Sequence, residues 1–224
     1  MSRKLLARKL LAEAVGTAFL LAAIVGSGIM GEALANGQAG AALLPHSLAI
    51  GAILFVMITL LGPVSGAHFN PAVTMVFAWN GEMEQREAAP YVATQFMAGI
   101  IGVLAAHLMF DLDISQVSLK TRTGIGQWSA EVVATAGLIF VILGGLRTNP
   151  AYIPAMVGLY IMSAIWFTAS TSFANPAVTI ARVYTNTFSG IQPFHAVAFI
   201  IAQFIGALCG WRLAKAVWPD GADT

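Results

Sequence analysis

The sequence predicts an all-α membrane protein of six transmembrane helices plus two re-entrant half-helices, arranged as an inverted three-helix repeat. Three observations carry that reading. Hydrophobic residues make up 58% of the chain and charged residues only 9%, whereas an ordinary soluble domain is about a quarter charged. Six long segments carry few charges or none. One pentapeptide, Asn-Pro-Ala-Val-Thr, occurs twice, beginning at Asn70 and at Asn175.

The charge-poor segments run from Leu10 to Met30, Ala39 to Gly66, Ala88 to Phe110, Val132 to Leu146, Ala151 to Ala181 and Ile191 to Trp211. A spanning helix needs about 20 apolar residues, fewer where flanking side chains snorkel. Six spans follow, and two of the segments leave residues over. The first has features of a signal peptide, with basic residues before it and Ala33-Leu34-Ala35 after it. Its apolar run is longer than a signal core, however. Its opening Ala12-Glu13-Ala14-Val15-Gly16-Thr17 also reappears as Ala130-Glu131-Val132-Val133-Ala134-Thr135, so a permanent span is the reading.

Internal repetition then orders the chain. Glu13-x-x-x-Thr17 matches Glu131-x-x-x-Thr135, Asn70 to Thr74 matches Asn175 to Thr179, and Gln95-Phe96 matches Gln203-Phe204, in the same order. The chain is one domain, 1–224, with repeat 1 over about 8–110, repeat 2 over about 129–217 and an outer connection over about 111–128. Three spans per repeat is an odd number, so the second repeat enters the membrane from the opposite side. Each repeat keeps one piece beyond its second span, a stretch of about ten residues, too short to cross and therefore re-entrant. Irregular backbone at membrane depth survives only where it is buried or lines a water-filled cavity, so two such loops imply a path between them.

Asn is a preferred N-cap and Pro a preferred first helical residue. Asn70-Pro71-Ala72 and Asn175-Pro176-Ala177 should each begin a half-helix, with the amide oxygen capping and the amide NH₂ pointing away as a fixed donor pair. The two positive dipole ends then meet near mid-membrane, a place that accepts a neutral solute with lone pairs and repels a cation.

Lys and Arg set the orientation. With the amino terminus inside, inner segments hold Arg3, Lys4, Arg8, Lys9, Arg86, Arg147, Arg212 and Lys215, and outer ones only Lys120, Arg122 and Arg182. The expectation is a multi-pass protein of the cell membrane, embedded in the lipid bilayer with both termini cytoplasmic. A net charge of +1 gives no reason to propose nucleic acid. The single Cys209 excludes an intramolecular disulfide or a cysteine metal cluster, and neither metal, cofactor nor enzyme chemistry is expected.

Ser65-Gly66-Ala67-His68-Phe69-Asn70-Pro71-Ala72-Val73-Thr74, Asn175-Pro176-Ala177, Glu13 and Glu131 together resemble the aquaporin, or major intrinsic protein, family over essentially the whole chain. The resemblance implies a pore in each protomer and a homotetramer. It implies that carbonyls of Gly66, Ala67 and His68, and of Ser172, Phe173 and Ala174, line the path opposite the Asn donors. Glu13 and Glu131 would hold backbone N–H groups of the loops rather than relay protons, and His68 would anchor its loop. Gly99, Gly102, Gly206 and Gly210 read as close-packing positions.

Most of the family carries Arg directly after the second Asn-Pro-Ala, and here the residue is Val178. Counting back from the Asn residues without gaps puts the other filter positions on Ile50, Ser163 and Ser172. A filter of these residues is wider, uncharged and of mixed polarity, because a guanidinium with up to five donors is gone. Arg182 lies one helical turn beyond Val178 and either reaches back to the path or caps the outer mouth. His46, one turn before Ile50, faces the outer vestibule or serves a helix-end surface role, while Trp166 and Phe167 read as packing residues.

The function expected is a passive channel for small uncharged solutes and water. The resemblance is strongest to bacterial channels associated with arsenic resistance, which implies arsenous acid and methylated arsenicals alongside glycerol and water. An ion-coupled secondary transporter with inverted repeats and a non-conducting structural membrane protein are the alternatives. The first would need an intramembrane ion or proton site, for which only Glu13 and Glu131 are candidates.

Overall fold

The computed structural model describes residues 3–36 and 38–219. Both chain ends, whose cytoplasmic placement the charge pattern predicts, fall outside the described residues. Within them the chain forms α1 (Arg3–Leu34), α2 (Ala39–Ser65), α3 (Pro71–Trp79), α4 (Gln85–Met109), α5 (Ile125–Thr148), α6 (Ile153–Phe167), α7 (Pro176–Ala181) and α8 (Pro193–Val217). Six of these are long and apolar enough to cross a membrane, α6 counting together with the 3₁₀ turn Pro150–Tyr152 that leads into it. The chain is an all-helical, multi-pass membrane protein.

α3 and α7 have 9 and 6 residues. At about 1.5 Å rise per residue neither reaches halfway across a bilayer's hydrocarbon core. Each is preceded by a non-helical strip, Gly66–Asn70 or Thr168–Asn175, that comes back from the end of the preceding long helix.

The packing repeats itself. α1 packs on α2 and α4, α5 packs on α6 and α8, and α2 against α6 joins the two triads. Both half-helices lodge between α4 and α8, where they also touch each other. Small residues set the spacing of the long helices. A Cβ on Gly102 would collide with the backbone of Ala18 on α1, and one on Gly210 would collide with the backbone of Ala136 on α5. At the contact between triads, a Cβ on Gly51 would come within 2.9 Å of the Gly158 carbonyl oxygen. In lipid such close approach supplies the packing that apolar burial cannot drive.

Candidate functional site

The site lies where the half-helices meet. Asn70 and Asn175 both adopt extended backbone before their helices, and both side-chain oxygens cap. Oδ1 of Asn70 accepts from the N–H of Ala72 at 2.9 Å, and Oδ1 of Asn175 accepts from Ala177 at 2.9 Å and Val178 at 3.2 Å. Proline at the first helical position costs no hydrogen bond, because that N–H would have no intrahelical acceptor.

The amide nitrogens do something the sequence does not reveal. Nδ2 of Asn70 donates to the carbonyl of Ala174 at 2.8 Å, and Nδ2 of Asn175 donates to the carbonyl of Phe69 at 2.8 Å. Each amide therefore spends one of its two N–H groups on the opposite loop, which leaves one rather than a pair for the path. The Ala174 carbonyl, expected as an acceptor for solute, takes this bond on one of its two lone pairs, which leaves the other for the path.

Both loops hold residues in the left-handed region: Gly66, Ala67 and Phe69 in the first, Thr171, Ser172 and Ala174 in the second. For a residue with a Cβ this costs on the order of 1–2 kcal/mol. Two buried carboxylates offset it. Glu13 accepts from the N–H of His68 at 2.9 Å, the N–H of Phe69 at 2.7 Å and the Ser65 hydroxyl at 2.7 Å. Glu131 accepts from the N–H groups of Phe173 and Ala174, both at 2.9 Å. Left-handed residues turn these N–H groups to one side, toward the carboxylate, and the carbonyls to the other.

One glutamine in each repeat closes the network. Nε2 of Gln95 donates to Glu13 at 2.8 Å and to the Thr74 hydroxyl at 3.0 Å, and Nε2 of Gln203 donates to Glu131 at 2.6 Å and to the Thr179 hydroxyl at 2.8 Å. The two threonines in turn donate to the carbonyls of Asn70 and Asn175. This explains why the repeated motif extends to Thr and why Gln recurs with Glu. His68 pairs its Nδ1 with Thr74 at 3.1 Å, and its ring packs beside Phe77 and Tyr91 while still bordering the cavity.

A cavity of about 810 Å³ of empty space, its open ends included, passes between the half-helices. One side is a polar strip formed by Gly66, Ala67, His68 and Asn70 and by Thr171, Ser172, Ala174 and Asn175. Opposite are aliphatic side chains of α1, α2, α5 and α6. Such a path offers hydrogen bonds along one stripe and no anchorage elsewhere. Among the described residues no cluster of His, Cys, Asp or Glu is placed to hold a metal ion.

Of the filter positions counted from sequence, Ile50, Ser172 and Val178 border this cavity. Ser163 does not. It is exposed on the far side of α6, whose cavity face is Ile153, Val157, Ile161 and Ile165. A helix turns about 100° per residue, so a position two residues from Ile161 and two from Ile165 points away from both. The ungapped count crosses a non-helical loop, where residue number no longer measures rotation, and the α6 residues on either side of Ser163 that do border the cavity are Ile161 and Ile165.

Arg182 also borders the cavity. Its residue is 3% exposed, its Nε donates to the carbonyl of Ser189, and its guanidinium lies 3.5 Å from the centroid of the Phe173 ring. His46 is buried rather than open to a vestibule, with Nδ1 2.9 Å from the Ser27 hydroxyl and its ring edge-on to Phe188. Trp166 and Phe167 are exposed and do not narrow the path. Sequence reasoning gave no role to Arg122. It reaches in from the connection between repeats, with its guanidinium 5.1 Å from the Phe173 centroid and bonds to the carbonyls of Gly190, Ser170 and Phe188. Burial pulls it down to about 10, which still leaves it cationic at neutral pH. Its only sequence signal was an Arg in a short connection between charge-poor segments.

Two inverted triads, two capped half-helices meeting at an asparagine pair and a cavity bordered by the polar groups of both loops define a membrane channel. The chain belongs to the major intrinsic protein family: the model of that family, described as Major intrinsic protein, matches residues 1–170. It is 53% identical over 210 residues to the aquaglyceroporin AqpS of Rhizobium meliloti (strain 1021), covering 94% of this chain and 90% of that one. It is 30% identical over 235 residues to aquaporin Z of Photorhabdus laumondii, covering 95% of this chain and 98% of the relative. Among solved structures, the aquaglyceroporin from Plasmodium falciparum superposes with a TM-score of 0.76 over 96% of this chain and 98% of that one, at 19% identity, a likeness of fold. The protein is a channel for small solutes and not an enzyme.

Proposed function

We propose that the cavity conducts small uncharged hydroxylated solutes passively, with arsenous acid, methylated arsenicals and glycerol as well as water as its substrates. The observation that carries this reading is Val178: it borders the cavity at the first turn of α7, where a guanidinium would otherwise project. With Ile50, Ile165 and Ser172 it makes an uncharged passage with aliphatic walls and the loop carbonyls beside it. Arsenous acid and glycerol are neutral near pH 7 and carry several hydroxyls, so they can follow a one-sided stripe of donors and acceptors. The name of the AqpS relative supports the glycerol part of the reading.

Glu13 and Glu131 support a channel over an ion-coupled transporter. Each has both carboxylate oxygens engaged by loop N–H and glutamine groups, so neither is free to take up a coupling ion. In the proposed setting the Arg182 end of the cavity faces outward, both termini are cytoplasmic, and four copies assemble with one path in each.

Stopped-flow uptake in proteoliposomes tests the proposal. Uptake of glycerol and arsenous acid should rise linearly with concentration and exceed that of empty vesicles. Saturable uptake driven by an ion gradient would overturn it.

A further inference from the structure

The Arg182 end of the cavity gathers three cations around one short loop. Three successive carbonyls, those of Phe188, Ser189 and Gly190, each accept from a different basic side chain: Nζ of Lys120 on Phe188 at 2.8 Å, Nε of Arg182 on Ser189, and Nε of Arg122 on Gly190 at 2.8 Å. Both guanidiniums flank the ring of Phe173, at 3.5 Å and 5.1 Å from its centroid, and Lys120 lies 4.7 Å from the centroid of Phe188. The loop is fixed in turn, since the Ser189 hydroxyl donates to the Ile24 carbonyl at 3.0 Å and the N–H of Ile191 donates to the Arg182 carbonyl at 3.2 Å.

Among the described residues no carboxylate neutralises this group. The ion pairs among the described residues are Lys9 with Glu87 and Arg86 with Glu84, far from it in the chain. Glu32 is felt by Lys120, and Glu131 by both arginines, but neither is within ion-pair distance. Burial and the neighbouring Arg122 guanidinium lower the pKa of Arg182 well below the usual guanidinium range. A guanidinium nonetheless keeps its proton in proteins, and carbonyl dipoles and aromatic faces hold the cations in place without cancelling their charge. Arg122 spends its Nε and both terminal nitrogens on Gly190, Ser170, Thr171 and Phe188. Arg182 is the member that borders the path.

We propose that Arg182, backed by Arg122 and Lys120, is the specificity-determining cation of this channel. It excludes small cations one helical turn beyond Val178, while the uncharged constriction there passes neutral solutes. Width and charge selection, which a single filter arginine would combine, are then separate: Val178, Ile50 and Ile165 set the width, and the cationic collar sets the charge. A positive group bordering a narrow, low-dielectric path raises the barrier for a cation far more than for a neutral molecule of the same shape. This inference rests on the channel reading above.

Urea and guanidinium are planar, of nearly equal size, and differ in charge, so they isolate the effect. Full-length protein in proteoliposomes is compared as wild type, Arg182→Met and Arg182→Lys, each first shown to be monodisperse and helical. Wild type should take up urea and exclude guanidinium. Arg182→Met should raise guanidinium uptake by about tenfold or more with urea uptake kept or increased, and Arg182→Lys should restore most of the exclusion. Guanidinium exclusion unchanged in Arg182→Met would overturn the assignment, as would loss of exclusion in Arg182→Lys equal to that in Arg182→Met. Failure of wild type to take up either solute would instead defeat the channel reading on which it stands.

Discussion

Asn70 on one re-entrant loop and Ala174 on the other are joined by a 2.8 Å hydrogen bond, and Asn175 returns the same bond to Phe69. The two half-helices are therefore not merely placed tip to tip. Each asparagine caps its own helix through oxygen and latches the opposite loop through nitrogen. In the proposed channel the pore centre is thereby fixed by the same asparagines whose remaining N–H groups would donate to the solute.

Asn70→Ala and Asn175→Ala should each remove a cap and a cross-loop bond, together about 2 kcal/mol. Thermal unfolding in detergent should show comparable losses for the two, with reduced solute permeability in both. A variant at one site with wild-type melting would show that the latch does not operate symmetrically.

Glu131→Gln keeps the shape but turns an N–H donor toward the N–H of Phe173 or Ala174, leaving a buried donor unpaired at a cost of roughly 1–3 kcal/mol. Glu13→Gln should behave alike, because His68 and Phe69 stand where Phe173 and Ala174 stand. Both should lower the melting temperature and solute permeability. If the glutamates relayed protons instead, the substitutions would leave stability intact and abolish a pH-gradient dependence of uptake.

The helix contacts give a clean contrast. Gly102→Leu and Gly210→Leu force a side chain into the backbones of Ala18 and Ala136 and should destabilise by about 1–3 kcal/mol or prevent folding. Gly62→Ala on α2 meets nothing within 4 Å and should be neutral or slightly stabilising. Melting temperatures of the purified variants decide between these outcomes.

Placement of the α6 wall is tested by a pair. Ile165→Ala should widen the constriction and raise glycerol uptake several-fold, whereas Ser163→Ala, on the opposite face, should leave it within error of wild type. A strong effect at Ser163 together with none at Ile165 would reverse the assignment.

Much of this was legible in the residues. Charge scarcity marked the spans because lipid tolerates little else, and Asn-Pro marked the half-helix starts because capping is a local property of two residues. Glu13 and Glu131 were legible through their repetition. What could not be read depends on rotation and on distance across the fold. The cavity face of α6 is not legible by counting back to Ser163, because helical phase is lost across the loop before Asn175. The latch to Ala174 is set by how two loops separated by about a hundred positions meet. Arg122 is not legible as a site residue, because a connection between repeats carries no periodicity to say where its side chains go. Arg182 could be put one turn beyond Val178, but whether it bordered the path depended on the Phe173 ring and the Ser189 carbonyl that hold it.

The central claim is a passive path for neutral solutes whose width is set at Val178. Its most direct test is stopped-flow glycerol uptake by proteoliposomes holding wild type or Val178→Arg at equal protein content. The account predicts uptake that is linear in concentration and independent of ion gradients, and that falls by about an order of magnitude when a guanidinium is placed in the constriction. Equal uptake by the two proteins, or saturable uptake requiring an ion gradient, would contradict it.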